Sequence, residues 1–249
     1  MISQTLLEKL LQLRLTAFRK GLQEQAGNSM YADLPFEERL LLLVELECTH
    51  RSDSRNQRRL KLAEFPMSAA IEDIDFSPER GLDKHLILEM AQCTWVDKAL
   101  NILVLGATGT GKTFIATSLG VAACRGGFSV RYWRTSRLLH AMDHSRRDGT
   151  YLSFLQSLNK TDVLILDDWM RDPISLSSTQ DLLEIFDDRF NKKATLIVSQ
   201  VPVTDWHLRF PDPTLADAIL DRTIHNAYRL SLLGDSQRKL RGNRTMPHT

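Results

Sequence analysis

The residues from Gly106 to Thr113 have the types and spacing of a loop that binds phosphate groups. They read GATGTGKT, which matches the pattern G-x-x-x-x-G-K-[ST]. The three glycines of this loop let the backbone turn closely, so that successive N–H groups point into one concavity. Lys112 is expected to reach the β- and γ-phosphates of a nucleoside triphosphate, and the Thr113 hydroxyl is expected to occupy one Mg²⁺ position. The loop therefore predicts a site for ATP with Mg²⁺.

The segments on either side of this loop strengthen the interpretation. Residues 101–105, NILVL, predict a short buried strand, and the residues from Lys112 onward predict a helix that ends near two glycines at 126 and 127. A glycine-rich loop between a strand and a helix places the positive end of the helix dipole at the phosphates. The residues expected to contact the nucleotide are Gly106, Ala107, Thr108, Gly109, Thr110, Gly111, Lys112, Thr113 and Phe114.

Two adjacent carboxylates, Asp167 and Asp168, follow a second apolar run, VLIL. In open α/β sheets, ligands bind at the carboxyl ends of the strands. Because successive residues of a strand diverge, the two acids need separate tasks. Asp167 is expected to hold Mg²⁺ through water, and Asp168 to polarise the attacking water. The alternative is a strand that ends in an acidic turn.

Two further side chains are candidates for the same chemistry. Gln200 follows the predicted strand TLIVS, where its amide would hold the attacking water or sense the γ-phosphate, or would simply cap the strand end. Arg222 lies on a predicted helix before the last strand. It would either pair with Asp217 or Asp221, or neutralise a γ-phosphate bound by a neighbouring subunit.

The elements that must position these residues alternate between strand and helix. This alternation predicts an α/β fold with a parallel sheet that helices cover on both faces. The predicted strands are 101–105, 128–133, 163–166, 195–199 and 228–232. The predicted helical segments of the core are 86–95, 112–124, 135–149, 151–158, 177–190, 204–210 and 213–226.

The first part of the chain has a different pattern. Leucines at helical spacing predict one helix over residues 2–25, and a second helix is expected to open at Pro35. A basic segment follows, in which the candidate DNA-binding residues are Arg51, Arg55, Arg58, Arg59 and Lys61. This segment is either a solvated helix face or a surface that follows a duplex backbone, since no aromatic residues interleave to stack on bases.

Composition limits the classes of protein that need to be considered. The chain has 249 residues, a net charge of +1 and 25% charged residues, so no global field attracts it to nucleic acid. No apolar run is long enough to span a bilayer. Three cysteines without paired spacing favour a reducing, cytoplasmic location.

Several segments taken together resemble the IstB-like ATPase family, the transposition helpers of insertion sequences, which is similar to the helicase loader DnaC within the AAA+ ATPases. The resemblance extends over almost the whole chain. Its most specific segments are SQVPVTDW and DPTLADAILDR, and other carriers are PFEERLLLLVELE, IEDIDFSPERGLDK, VLILDDW and GDSQRK.

The resemblance implies a P-loop NTPase of AAA+ type with a five-stranded parallel sheet in the order 5-1-4-3-2. It implies that Asp167 and Asp168 form the Walker B pair, and that Gln200 and Arg222 occupy the sensor-1 and arginine-finger positions. It further implies an ATPase that forms a homo-oligomer on duplex DNA and stimulates a separate transposase. By the same resemblance, residues 1–66 are a small helical region for oligomerisation or for binding DNA or a partner, 67–233 the ATPase core, and 234–249 a short basic tail.

The chain departs from most AAA+ relatives at two points. Residues 234–249 leave no room for a multi-helix lid, so Arg238 is the candidate second sensor that would contact the nucleotide. The alternative is that Arg238, Lys239, Arg241 and Arg244 touch DNA phosphates. The second Walker B acid is an aspartate where many relatives have glutamate, and its shorter reach predicts slow hydrolysis.

Three functions therefore compete at this level. The segments favour a DNA-assembling transposition ATPase. The alternative is a replicative helicase loader of the DnaC type, whose core would look nearly the same. A small-molecule kinase is disfavoured, because the TLIVS strand is placed between the loop strand and the Asp167 strand, and because a substrate lid is absent.

Overall fold

The computed structural model describes residues 2–234 and divides into two compact units, with the boundary between Arg58 and Arg59. The candidate residues Arg238, Lys239, Arg241 and Arg244 lie outside the described residues.

The first unit is helical. It contains α1 (Gln4–Gln12), α2 (Thr16–Gly27) and most of α3 (Phe36–Ala63). The prediction of one helix over residues 2–25 is wrong, because Arg14 adopts a left-handed conformation with φ of 57°. The N–H groups of Arg14 and Leu15 donate back to Leu11 and Leu10, which is the hydrogen-bond pattern of a Schellman C-cap.

Glu47 of α3 caps the second of these helices from a distance. The N-cap residue Leu15 has no side chain that could accept a hydrogen bond, and the Glu47 carboxylate instead accepts from the N–H groups of Ala17 (2.9 Å) and Phe18 (3.0 Å). These two donors are among the groups that a helix N-terminus leaves without partners. Glu47 therefore stabilises both the end of α2 and the packing of α2 on α3.

The second unit is built on a five-stranded parallel sheet in the order β2-β3-β4-β1-β5, as predicted. Its helices and strands, in chain order, are α4 (Lys84–Ala91), α5 (Thr94–Asp97), β1 (Asn101–Gly106), α6 (Lys112–Arg125), β2 (Val130–Arg134), α7 (Thr135–Arg147), α8 (Tyr151–Asn159), β3 (Val163–Asp167), α9 (Leu176–Arg189), β4 (Ala194–Ser199), α10 (Pro213–Ile224) and β5 (Ala227–Leu232).

Two predicted helices of this unit are different in the structure. The helix predicted over 86–95 is broken into α4 and α5 at Cys93, which has φ of 63°. The segment predicted to be helical over 204–210 forms two separate 3₁₀ turns, Val203–Asp205 and His207–Arg209. Neither change alters the order of the strands.

Apolar residues cover the sheet on both faces. On one face, Ile102 and Val104 pack in a cluster with residues of α4, α5 and α6. On the other face, Leu103 packs in a cluster with residues of α7, α8, α9 and α10. Because side chains alternate along a strand, β1 is buried on both sides, and the loop that follows it leaves the sheet at a rigid position.

Candidate functional site

The first residue of the loop after β1 has a backbone conformation that only glycine adopts readily. Gly106 has φ of +148°, and an added Cβ atom would lie 2.5 Å from the carbonyl oxygen of Leu232 on the neighbouring strand β5. Within the loop, the Ala107 carbonyl accepts hydrogen bonds from the hydroxyl of Thr110 (2.9 Å) and from Nζ of Lys112 (2.8 Å). The loop is therefore ordered by its own side chains before α6 begins.

A cavity of about 440 Å³ lies beside this loop at the carboxyl end of the sheet. The predicted loop residues that line it are Thr108, Gly109, Gly111, Lys112, Thr113 and Phe114. Asp167, Asp168 and Gln200 line the same cavity, as do Arg80, Arg134 and Arg171. Gly106, Ala107 and Thr110 form the frame of the loop and do not line the cavity. The fold thus brings the P-loop and the two acids predicted to form the Walker B pair to one place.

Asp167 is held at the end of β3 by three side chains. Its Oδ2 atom accepts hydrogen bonds from the hydroxyls of Thr113 (2.8 Å) and Tyr132 (2.7 Å), and its own carbonyl accepts one from Thr135. Burial, together with the Asp167 carboxylate, raises the pKa of Tyr132 well above its ordinary value. Tyr132 consequently stays protonated and remains a donor at neutral pH.

The Thr113 hydroxyl and the Asp167 carboxylate fit a magnesium ion. Both are hard oxygen donors, they face each other across 2.8 Å, and both border the cavity. Mg²⁺ is commonly bound through one or two protein oxygens and completed by substrate phosphates and water. In the described part of the chain, no group of three or more His, Cys, Asp or Glu residues is placed to hold a metal ion.

Asp168 lies between two arginines. It has φ of 56°, a left-handed conformation that aspartate tolerates better than most residues, and its Oδ2 lies 3.9 Å from Nε of Arg134 and 3.4 Å from Nη1 of Arg171. Arg134 ends β2 and pairs in register with Asp167 of β3. The carboxylate predicted to polarise water is therefore held by cations in this structure.

Ser199 and Gln200 at the end of β4 have different surroundings: the first is buried between two loops and the second borders the cavity. The buried Ser199 hydroxyl donates to the carbonyl of Trp169 (2.8 Å) and accepts from the N–H of Val201 (3.0 Å), which fixes the two loops that follow β3 and β4. Gln200 is exposed to the cavity, and its amide oxygen accepts from the Thr108 hydroxyl. The amide thus lies next to the P-loop, and its role in holding the attacking water or sensing the γ-phosphate stays a prediction.

A buried arginine, Arg80, supports the P-loop, and this contact was not predicted from the sequence. Arg80 is 5% exposed and donates to the carbonyls of Thr110 (2.8 Å) and Asp75 (2.9 Å). An added Cβ atom at Gly111 would lie 2.8 Å from its guanidinium. The segment SPERGL gave no pattern from which this contact could be predicted. The contacts of Tyr132, Arg134 and Arg171 were not predicted either. For Tyr132 and Arg134 a signal was available, because alternate residues of a strand face the same side and the predicted strand order places β2 beside β3.

Arg222 lies at the other end of the sheet. Its carbonyl accepts from the side chain of Asn101, the first residue of β1, whereas the P-loop follows the last residue of that strand. At the usual rise per residue, the six-residue strand separates the two positions by roughly 16 Å. Arg222 pairs with Asp187 of α9, so the predicted alternative of a pair with Asp217 or Asp221 is wrong. Those two acids face His207 and His225.

Comparison with known proteins identifies the family. The model of the IstB-like ATP binding protein family matches residues 8–245. The chain belongs to this family. A Sinorhizobium fredii insertion sequence ATP-binding protein, y4pL, is 39% identical to this IstB-like chain over 239 residues, which cover 96% of this chain and 98% of the relative. The ATP-binding protein of insertion sequence IS1162 from Pseudomonas fluorescens is 41% identical over 203 residues, or 81% and 88% of the two chains.

Solved structures match the fold of the IstB-like chain at lower identity. A DnaC helicase loader superimposes with a TM-score of 0.53 at 18% identity, covering 70% of this chain and 99% of the loader. AMPPCP-bound DnaA from Aquifex aeolicus superimposes with a TM-score of 0.58 at 18% identity, covering 73% and 55% of the two chains. These matches confirm the predicted P-loop fold of AAA+ type. The family match makes this an ATP-binding protein.

The basic segment of the IstB-like chain lies on α3 and is unevenly exposed. Arg55, Arg58 and Lys61 are exposed, whereas Arg59 is half-buried. Arg51 pairs with Glu47 at 2.8 Å and is partly engaged in holding the first unit together. The face predicted to follow DNA therefore has three exposed cations with no ion pair among the described residues. No helix in the described part is both long and apolar enough to cross a membrane.

Proposed function

We propose that this IstB-like protein is a cytoplasmic Mg²⁺-dependent ATPase that assembles as a homo-oligomer on duplex DNA and assists a transposase. The observation that carries the proposal is the position of Arg222. Lys112, Asp167, Asp168 and Gln200 meet at the carboxyl end of the sheet, whereas Arg222 lies at the amino end. A site completed by that arginine would need a second copy of the chain.

The cavity has the groups that ATP hydrolysis needs. The loop N–H groups and Lys112 would neutralise the phosphates, and Asp168 and Gln200 would orient and polarise the attacking water. Thr113 and Asp167 would hold Mg²⁺, whose chemistry is to offset the charge that develops on the phosphate oxygens. In this arrangement Asp168 must be released from Arg134 and Arg171 before it acts on water.

Arg222 would act on the ATP of a neighbouring protomer. Its side chain is 30% exposed, so it can be reached from outside the protomer once its ion pair with Asp187 opens. An arginine supplied in trans stabilises the charge of the transferring phosphoryl group. ATP would then hold two copies together, so formation of the oligomer would depend on bound nucleotide.

Assembly would also explain how a nearly neutral chain holds DNA. A net charge of +1 gives no long-range attraction, but repeated basic surfaces bind cooperatively once the copies are joined. The first unit leaves apolar side chains such as Phe36 and Leu41 exposed, at 69% and 56%. Exposed apolar surface of this kind is typical of sites where proteins associate, and it would serve self-assembly or transposase binding.

The helicase loader remains the second candidate because the DnaC fold matches. That match is at 18% identity, whereas the insertion-sequence protein y4pL matches at 39% over nearly the full chain. The transposition role therefore has the stronger support. A pulldown with the transposase of the same insertion sequence and with a hexameric helicase separates the two functions by which partner is retained.

Electron microscopy of the protein with duplex DNA and a non-hydrolysable ATP analogue tests the proposal. We expect a ring or a filament in which Arg222 of one copy faces the nucleotide of the next. Lys112→Ala is the control, because it should lose ATP binding and assembly together. A wild-type protein that stays monomeric on DNA with Mg²⁺ and nucleotide would overturn the proposal.

A further inference from the structure

Arg80 is a buried cation that borders the nucleotide cavity at the end of the P-loop. Its Nη2 atom lies where a side chain of Gly111 would be, since an added Cβ atom there would be only 2.8 Å away. Gly111 is also the N-cap residue of α6. The guanidinium therefore lies beside the point where the loop ends and the helix begins, and only 5% of the residue is exposed.

The surroundings of Arg80 do not neutralise its charge. Among the described residues no carboxylate forms an ion pair with it, and its two hydrogen bonds go to the backbone carbonyls of Thr110 and Asp75. The carboxylate of Asp75 accepts from the N–H and the hydroxyl of Ser77 instead. Burial consequently lowers the pKa of Arg80 below its ordinary value, and the nearby charge of Asp75 opposes this effect only in part.

Arg80 also has donors that its protein surroundings do not use. A guanidinium has five N–H donors, and two of them are used in the bonds to the carbonyls. Its Nε atom is buried and has no acceptor among the described residues. Because buried donors of native proteins are nearly always paired, an incompletely paired arginine at the edge of a cavity indicates that a ligand supplies further acceptors.

Arg189 provides a comparison, because it is a buried arginine with a purely structural environment. It is 1% exposed and does not line the nucleotide cavity. Each of its three nitrogens donates to an acceptor of the protein, namely the carbonyls of Leu158, Thr161, Asp162 and Ala194 and the hydroxyl of Thr195. Arg80 differs in both respects, which separates it from an arginine that only stabilises the fold.

The N-terminus of α6 makes the position of this cation unfavourable unless an anion is present. The first turn of a helix carries partial positive charge, which repels a cation and attracts an anion. The helix has 14 residues and begins with Lys112, which is a second cation at the same place. A phosphate in the cavity would be attracted by the helix, by Lys112 and by Arg80 together.

The strand order indicates which end of a nucleotide Arg80 would face. Asp167 and Gln200 follow β3 and β4, which lie on one side of β1. The carbonyl of Arg80 accepts from the N–H of Leu233, which follows β5 on the other side of β1. The P-loop therefore separates Arg80 from the side chains expected to act on the γ-phosphate. A triphosphate whose γ-phosphate lies near those side chains would place its α-phosphate toward Arg80.

We propose that Arg80 is a further nucleotide-binding residue, which donates to the α-phosphate of ATP or ADP from the β5 side of the P-loop. The inference rests on the nucleotide site of the proposed function and adds to it a cation from a segment that precedes β1. Arginine suits this place because its planar fork of donors can bind a phosphate oxygen while it still holds the Thr110 carbonyl.

Arg80→Gln is the first test, with Arg125→Gln as a matched control. Both variants remove one positive charge, but Arg125 is an exposed residue at the opposite end of α6. Calorimetric titration measures the affinity for ADP and for a non-hydrolysable ATP analogue. We expect Arg80→Gln to weaken both by the same factor of about tenfold or more, and Arg125→Gln to bind like wild type. Equal affinities of the two variants, or a loss confined to the ATP analogue, would overturn the assignment.

Arg80→Lys separates a contact with the ligand from a structural role. Lysine keeps the charge but has no planar fork with which to bridge the carbonyls of Thr110 and Asp75. If the charge acts on a phosphate, Arg80→Lys should recover part of the affinity that Arg80→Gln loses, and both variants should melt close to wild type without nucleotide. A purely structural role would make both equally poor binders and lower both melting temperatures, and that result would overturn the inference.

The same measurements separate the failure of this inference from that of the proposed function. If wild type binds both nucleotides while Arg80→Gln equals Arg125→Gln, only this inference fails. If Arg80→Gln alone loses affinity, and wild type nevertheless neither hydrolyses ATP nor assembles on duplex DNA, the inference holds and the proposed function fails.

Discussion

The hydroxyl of Tyr132 lies 2.7 Å from Oδ2 of Asp167, the same oxygen that accepts from Thr113 at 2.8 Å. The tyrosine comes from β2 and the threonine from α6, so two different elements fix one carboxylate. Because Tyr132 stays protonated, it orients Asp167 without competing with it for a cation. This contact makes β2 part of the candidate site.

Removing the hydroxyl of Tyr132 should slow ATP hydrolysis clearly, whereas the stability of the fold should change little. Tyr132→Phe leaves the ring in place and removes one hydrogen bond worth about 1 kcal/mol, so we expect ATP hydrolysis to fall by about three- to tenfold. Tyr151→Phe is the matched control, since its hydroxyl contacts Asp181 and Glu184 and does not reach the nucleotide cavity. Steady-state rates and melting temperatures of both variants distinguish the roles; equal rates would contradict a role of Tyr132 at the site.

Replacing Asp168 by asparagine should leave ATP binding intact and remove most turnover. Asparagine tolerates the left-handed backbone of this position, so the loop should keep its shape. The loss of the base should lower the rate at saturating DNA on the order of 100-fold or more. Asp172→Asn, which alters the other acid beside Arg171, serves as the control. An unchanged rate for Asp168→Asn would remove this residue from the mechanism.

Two variants can distinguish a role of Arg222 at a neighbouring subunit's site from a role in its ion pair with Asp187. If the pair with Asp187 were its purpose, Arg222→Ala and Asp187→Ala would have equal effects. If Arg222 serves a neighbouring site, Arg222→Ala should bind ATP normally but fail to assemble or hydrolyse it, whereas Asp187→Ala should keep both activities. Nucleotide binding, sedimentation and hydrolysis of the two variants give the answer. Normal assembly and turnover by Arg222→Ala would reject the finger.

The helical first unit should lose stability in acid through Glu47. Burial disfavours its charge, but hydrogen bonds from Phe18, Arg51 and Ala17 outweigh burial and lower the pKa of Glu47 below its ordinary value. A lowered folded-state pKa adds stability above the unfolded-state value of about 4.3, and this stability is lost as the pH falls through the folded-state pKa.

Glu47→Gln should therefore destabilise the first unit at pH 7 by about 1–2 kcal/mol, the usual cost of losing a helix cap. The difference from wild type should shrink as the pH falls below about 4. Unfolding followed by circular dichroism from pH 7 to pH 3 measures both effects. Glu45→Gln, an exposed position on the same helix, is the control, and a pH-independent difference would contradict the capping role.

The sequence pattern was sufficient to predict those parts of the site whose residues lie close together along the chain. The glycines and Lys112 follow one another along a few residues, and Asp167 ends an apolar run, so their spacing predicts the nucleotide site without knowledge of the fold. The alternation of strand and helix likewise predicts the parallel sheet, because burial on both faces demands it. The helix breaks at Arg14 and Cys93 escaped prediction, because a left-handed residue with a side chain carries no signal as clear as glycine.

The amino-acid sequence alone determined that this chain binds ATP in a P-loop fold of AAA+ type. Only the tertiary structure decided which side chains hold the two candidate acids and the P-loop, because Tyr132 and Arg134, which contact the acids, and Arg80, which contacts the loop, come from segments distant along the chain. The same reason applies to Arg222, whose partner Asp187 lies on another helix. Contacts between helices and strands depend on the order and register of the strands. Many weak preferences along the whole chain decide that order and register, so no single segment predicts the contacts.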